Sequence, residues 1–190
     1  MPRIAHFIRI DAPVERVFAF LADPTNIPRI QTEFRSVRLL TPQTHGLGAT
    51  IEAQGSFRGL PLTAQMQIIA FEPPHLLVSD SSGMVQSRTT WRIAPDSAPP
   101  SNAAPLTDSP PTASGCRVTL SIDYTVTIPG LAFLGSLVQR DLDSLTIAAL
   151  RRLKALVEED AGGGGTRGDL KSRLQLRSPL ARAEEARRMV

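Results

Sequence analysis

The chain sets one long amphipathic stretch, about Leu131 to Glu159, after a series of segments whose apolar residues alternate with polar ones. Leu131, Leu134, Val138, Leu142, Leu145, Ala149, Leu153 and Leu156 recur at helical spacing, with Arg140, Asp143, Arg151, Lys154 and Glu158 on the other side. A lone helix that follows so many antiparallel strands can bury its apolar stripe only against the concave face of their sheet. A helix clasped by a curved sheet leaves a hollow, and such hollows take up apolar small molecules.

At the start, Ile4, His6, Ile8 and Ile10 alternate with Ala5, Phe7 and Arg9, which predicts a strand with one face inward. Asp11-Ala12-Pro13 then opens a helix with Val14, Val17, Phe18 and Leu21 as its buried stripe, Asp11 or Ala12 at the cap and Pro13 in the first turn. Asp23-Pro24 ends that helix and caps a second, short one through Ile27 and Ile30. From Phe34 the period is two, and strands are predicted over 34–40, 49–57, 62–71, 76–80, 85–94 and 117–128.

Turn signals set the register. A tight turn at Gly59-Leu60 places Ala53 opposite Met66 and Ile51 opposite Ile68, and one at Pro73-Pro74 places Ile68 opposite Ser79 and Ala70 opposite Leu77. One face then carries Ile51, Ala53, Gly55, Ala64, Met66, Ile68, Ala70, Leu77 and Ser79, an apolar surface built largely from small residues. Thr50, Glu52, Gln54, Gln65 and Gln67 take the solvent side. Residues 96–114 hold five prolines among Ser, Ala and Thr, and read as a disordered hairpin insert.

Composition narrows the function classes. With 190 residues, 42% of them hydrophobic, the chain suits one domain, expected over 1–160, followed by a flexible tail over 161–190. The tail holds seven Lys/Arg against three Asp/Glu, leaving 14 against 15 in residues 1–160. A nearly neutral domain argues against a nucleic-acid groove, which needs clustered basic charge. Cys116 stands alone, so neither an intrachain disulfide nor a thiolate zinc site is expected. His6, His45 and His75 are scattered without ligand spacing, and neither metal nor cofactor is expected. His6, Arg9 and Asp11 interrupt any signal-peptide core, and Leu131 to Val138 falls far short of the roughly 20 residues that span a bilayer. A cytoplasmic monomer is the expectation.

The segment IDAPVERVFAFLADPTNIPRI (Ile10 to Ile30), followed by TTWRIAP (Thr89 to Pro95) and GCRVTLSIDYTV (Gly115 to Val126), resembles the START-like superfamily of helix-grip proteins. This is the polyketide cyclase/dehydrase and lipid-transport group, also called SRPBCC, and the resemblance covers about residues 3–159. It implies an α+β fold: a seven-stranded antiparallel sheet wrapped around the long C-terminal helix, with two short helices after strand one. It also implies a binder or carrier of hydrophobic molecules, with cyclases and dehydratases as a minority. The superfamily has no universal catalytic motif, so no residue here inherits a catalytic role.

Parity and helical spacing nominate a ligand wall. Ile51, Ala53, Gly55, Met66, Ile68, Leu77 and Ser79 come from the small-residue face; Ser87, Thr89 and Trp91 from strand 85–94; Ile122 and Tyr124 from strand 117–128; and Leu134, Val138, Asp141, Leu142 and Leu145 from the helix. Asp141 lies beside the stripe at the cavity rim. There it either meets a ligand as hydrogen-bond partner or general acid, or pairs with an arginine. Tyr124 and His6, which shares the inward parity of Ile4 and Ile8, are the other acid–base candidates.

Three functions fit these features. The first is a carrier of a lipid, isoprenoid, quinone or polyketide-like molecule. The second is a cyclase or dehydratase that uses pocket acid–base groups. The third is a module that docks on a membrane or partner through its basic tail.

Overall fold

In chain order the elements are β1 (Arg3–Ile10), α1 (Val14–Ala22), a 3-10 turn (Pro24–Asn26), α2 (Ile27–Ile30), β2 (Phe34–Leu39), β3 (Thr50–Phe57), β4 (Leu60–Glu72), β5 (Leu76–Ser82), β6 (Val85–Pro95), β7 (Ala104–Pro105), β8 (Cys116–Val126) and α3 (Gly135–Gly162). The computed structural model describes residues 2–83, 85–96, 104–105, 115–126 and 135–162, except for the side chains of 104–105, 126, 135–138 and 160–162. The chain divides into two compact units, Met1–Glu158 and Glu159–Val190, and the first holds the whole sheet together with α3 as far as Glu158.

The strands form one sheet in the order β2-β3-β4-β5-β6-β8-β1-β7. The seven long strands pair antiparallel and wrap α3, giving the expected α+β helix-grip fold. The core fuses the layers: Ile8 and Ile10 of β1, Trp91 and Ile93 of β6, and Val118 and Leu120 of β8 pack with Ala149, Leu150, Leu153 and Val157 of α3. Val17 and Phe18 of α1 join the same cluster. Polar contacts fasten the end of β1 to α3, because Lys154 Nζ donates to the Arg9 carbonyl (2.8 Å) and the Asp11 N–H donates to the Glu158 carboxylate (2.8 Å).

Local chemistry explains where elements begin and where they depart from expectation. Pro13 itself is the N-cap of α1, without a side-chain cap, so the helix starts at Val14 and neither Asp11 nor Ala12 caps it. Asp23 caps the 3-10 turn as expected, accepting from the Thr25 N–H (2.9 Å).

The β3–β4 hairpin closes through Arg58-Gly59, both at positive φ (50° and 80°), so the turn lies one residue earlier than expected. Ile51 therefore faces Met66 and Ala53 faces Ala64. Moving each partner by two residues leaves the faces unchanged.

Between β4 and β5, Ile68 faces Ser79 as expected, but a bulge before Ala70 puts Val78 opposite Ala70 and Leu77 opposite Phe71. One extra residue reverses parity, which turns Phe71 inward and Ala70 away.

Most of the expected disordered insert, 97–103 and 106–114, lies outside the described residues, and the two residues between these stretches are described. Ala104–Pro105 adds two residues in parallel to β1, with His6 facing Ala104 and Phe7 facing Pro105. The outer face of β1 and β8 is not uniformly solvated either. Arg117 is buried there, with its guanidinium carbon 5.7 Å from the centre of the Phe7 ring.

Candidate functional site: an apolar cavity under the gripping helix

The concave face of the sheet, α3 and the α1–α2 segment enclose a cavity of about 320 Å³. Ile51 and Met66 form a cross-strand pair on its wall, and Ile68, Leu77, Trp91 and Ile122 extend that apolar surface across β4, β5, β6 and β8. Asp141, Leu142 and Leu145 close it from α3. Ser79, Ser87 and Thr89 line it too, as a polar strip on β5 and β6.

Three nominated residues stand elsewhere. Ala53 is 0% exposed and packs within the core rather than on the cavity wall. Gly55 is where the backbone crosses: a Cβ there would collide with the Glu33 carbonyl oxygen, which accepts the Ser56 N–H at 2.8 Å. A ligand has no access where main chain already touches main chain. Tyr124, 2% exposed, faces Ser87 across β6–β8 but does not line the cavity, and burial pushes its phenol above the usual value. Leu134 and the side chain of Val138 lie outside the described residues.

The acid–base candidates separate in the same way. His6 points towards α3 but is absent from the cavity wall; its Nε2 lies 2.6 Å from Asp143 Oδ1. Its Nδ1 is buried without a partner among the described residues. Asp141 does line the cavity, and Arg58 Nη2 donates to its Oδ1 at 2.7 Å. The arginine pairing expected of Asp141 is therefore present.

Cys116 is inert. It is fully buried, and desolvation, followed by the nearby charges of Asp96 and Glu15, pushes its thiol up to about 12. His75 is exposed in the β4–β5 turn, where its Nδ1 lies 3.1 Å from the Ile93 carbonyl oxygen. Among the described residues no three of His, Cys, Asp or Glu converge as a metal site requires. No described helix is long and apolar enough to cross a membrane.

Several lining residues escape strand parity. Leu21, Ile27 and Ile30 close the cavity from α1 and α2, and Thr44, His45 and Gly46 come from the β2–β3 loop. Phe57 shares the parity of Ile51 and was within reach of the pattern. Phe71 was hidden by the bulge, and loop residues such as His45 carry no periodic signal at all.

A hollow between an antiparallel sheet and one long helix defines the helix-grip class of hydrophobic-ligand-binding proteins. Residues 1–158 match the family described as polyketide cyclase / dehydrase and lipid transport, and the chain belongs to that family. No curated protein matches the sequence.

Among solved structures the fold is similar to that of TTHA0849 from Thermus thermophilus, with 19% identity, 84% of this chain and 99% of that one covered, and a TM-score of 0.63. It is also similar to the Zhui aromatase/cyclase from Streptomyces sp. R1128 (15% identity, 86% and 98% covered, TM-score 0.67). A third similar structure is Ara h 8.0201 (12% identity, 83% and 98% covered, TM-score 0.60). At such identities the likeness concerns the fold.

Proposed function

We propose that the domain binds and carries one hydrophobic small molecule, of lipid, isoprenoid, quinone or polyketide-like character, in the cavity beneath α3. The supporting observation is the cavity wall: Met66, Ile68, Leu142 and Leu145 line a space of about 320 Å³ with apolar surface, beside a separate buried core cluster that closes the rest of the fold. Natural interiors rarely leave room beyond a water molecule, so a space of this size lined by apolar side chains is one that a ligand fills.

Carriage is favoured over cyclase or dehydratase chemistry because, of the three nominated acid–base groups, His6 and Tyr124 stand off the cavity and Asp141 pairs with Arg58. The domain acts as a monomer in the cytoplasm without metal or cofactor. Residues 163–190, which hold most of the basic tail proposed to touch membranes, lie outside the described residues.

Mass spectrometry under native conditions, on protein purified without detergent, tests the reading. The expected spectrum shows one apolar molecule retained per chain and released on acidification. A preparation that stays free of bound mass after incubation with lipid, isoprenoid, quinone and aromatic polyketone mixtures contradicts it.

A further inference from the structure

Resting on that reading, we infer that the cavity selects an apolar ligand bearing an oxygen on its body over a plain hydrocarbon of the same shape, through the hydroxyls of Ser79 and Thr89. Four hydroxyl residues line the cavity on the central strands β5 and β6, as two successive cross-strand pairs: Ser79 with Thr89, and Ser81 with Ser87. Residues two apart along a strand project from the same face about 6.7 Å from each other, so the four form a compact polar strip on an otherwise apolar wall.

The two pairs differ in one respect. Ser81 Oγ and Ser87 Oγ lie 2.8 Å apart and share a hydrogen bond, one donating to the other. The hydroxyls of Ser79 and Thr89 make no hydrogen bond to any described residue, although both residues line the cavity. Their strand neighbours on the same face, Leu77 and Trp91, are buried core residues, so this pair sits at the inner end of the strip.

A hydroxyl facing an apolar space without a partner costs free energy until a ligand or water supplies one. Each hydroxyl can donate one proton and accept in return. The complement is therefore a ketone, ester or phenol oxygen set into an apolar skeleton, reached from two adjacent strands at once. A bare hydrocarbon would bury both hydroxyls unpaired.

Fluorene and 9-fluorenone, the same tricycle without and with a carbonyl oxygen, test the inference. Each is titrated into the full chain, the Ser79→Ala/Thr89→Val double variant and Thr89→Ser. The expected result is a ratio of fluorenone to fluorene affinity that falls in the double variant by roughly 3- to 30-fold, the range for losing one or two neutral hydrogen bonds. Fluorene affinity should stay level or rise, and Thr89→Ser, which keeps the hydroxyl, should preserve the parent ratio. An unchanged ratio in a folded double variant overturns the inference while leaving hydrophobic binding standing. Failure of both tricycles to bind the parent overturns the cavity reading and the inference with it.

Discussion

Arg58 Nη2 lies 2.7 Å from Asp141 Oδ1, so the tip of the β3–β4 hairpin is tied to the N-terminal part of α3 beside the cavity. Arg58 is 66% exposed and Asp141 25%, and the pair is accordingly a solvent-screened tie rather than a buried charge couple. Arg58→Ala should lower unfolding free energy by no more than about 1 kcal/mol in urea titrations.

Asp141→Asn separates carriage from catalysis. For a carrier, the amide keeps the shape and hydrogen-bonding capacity of the carboxylate, and affinity for an apolar probe should shift by about 0.5–1.5 kcal/mol at most. For an enzyme using this carboxyl as proton donor or acceptor, turnover would fall by roughly 10²–10⁴-fold with binding retained. The carrier outcome is expected. A substrate whose conversion collapses while its binding persists would establish the enzyme instead.

Gly55→Ala should be among the most damaging single substitutions, costing about 3 kcal/mol or more and lowering the urea midpoint accordingly. The added Cβ collides with the Glu33 carbonyl and comes within 2.7 Å of the Phe34 Cα, both main-chain atoms that no rotamer change can move aside. A midpoint within experimental error of the parent would show that the Glu33–Phe34 crossing is looser than described.

Cys116 gives the pH dependence a sign. Its thiol is pushed up to about 12 in the folded chain from an ordinary 9.0, so above pH 9 the unfolded chain releases a proton that the folded one keeps. The stability linked to Cys116 is complete below pH 9 and declines as pH rises towards 12. Between pH 9 and 10.5 the parent should lose stability faster than Cys116→Ala, and folded protein should resist thiol alkylation at pH 8 until urea is added. Parallel pH profiles, or rapid alkylation of folded protein, would refute this placement of the thiol.

Much of the fold was legible in the sequence because the controlling signals are periodic. Ile4, Ile8 and Ile10 marked β1, and the Leu142–Leu153 spacing marked α3. The Ile68–Ser79 pairing agrees with the diproline register only because the bulge offsets a turn one residue longer, Pro73 to His75, that sets Glu72 opposite Leu76. What escaped lacks a local period. The bulge that turns Phe71 inward adds a single residue, and the backbone crossing at Gly55 depends on a chain segment some twenty residues earlier. The β2–β3 loop that carries His45 to the cavity has no repeating pattern to read. Strand parity puts Ala53 on the correct face, but burial under neighbouring chain is a tertiary property that parity does not encode.

The proposed domain boundary is tested by truncation after Gly162, which preserves α3 to its last residue. The truncated chain should melt within about 3 °C of the parent, a shift corresponding to less than about 1 kcal/mol. Flotation with anionic vesicles at low salt then reports on the tail alone: binding by the full chain and not by the truncated one supports membrane contact. Equal behaviour of the two forms rejects it.

The most direct measurement is a titration of the purified chain with the neutral fluorescent probe N-phenyl-1-naphthylamine, in the parent and in Ala64→Trp and Met66→Arg, which change two residues on the cavity wall. Filling an existing void should leave the fold intact, whereas forcing an indole into solid core typically costs about 1–3 kcal/mol. The expected outcome is saturable one-to-one binding by the parent, lost in both variants, with the melting temperature of Ala64→Trp preserved. Probe binding unchanged in folded Ala64→Trp and Met66→Arg, or no saturable binding by the parent, would contradict a ligand cavity beneath α3.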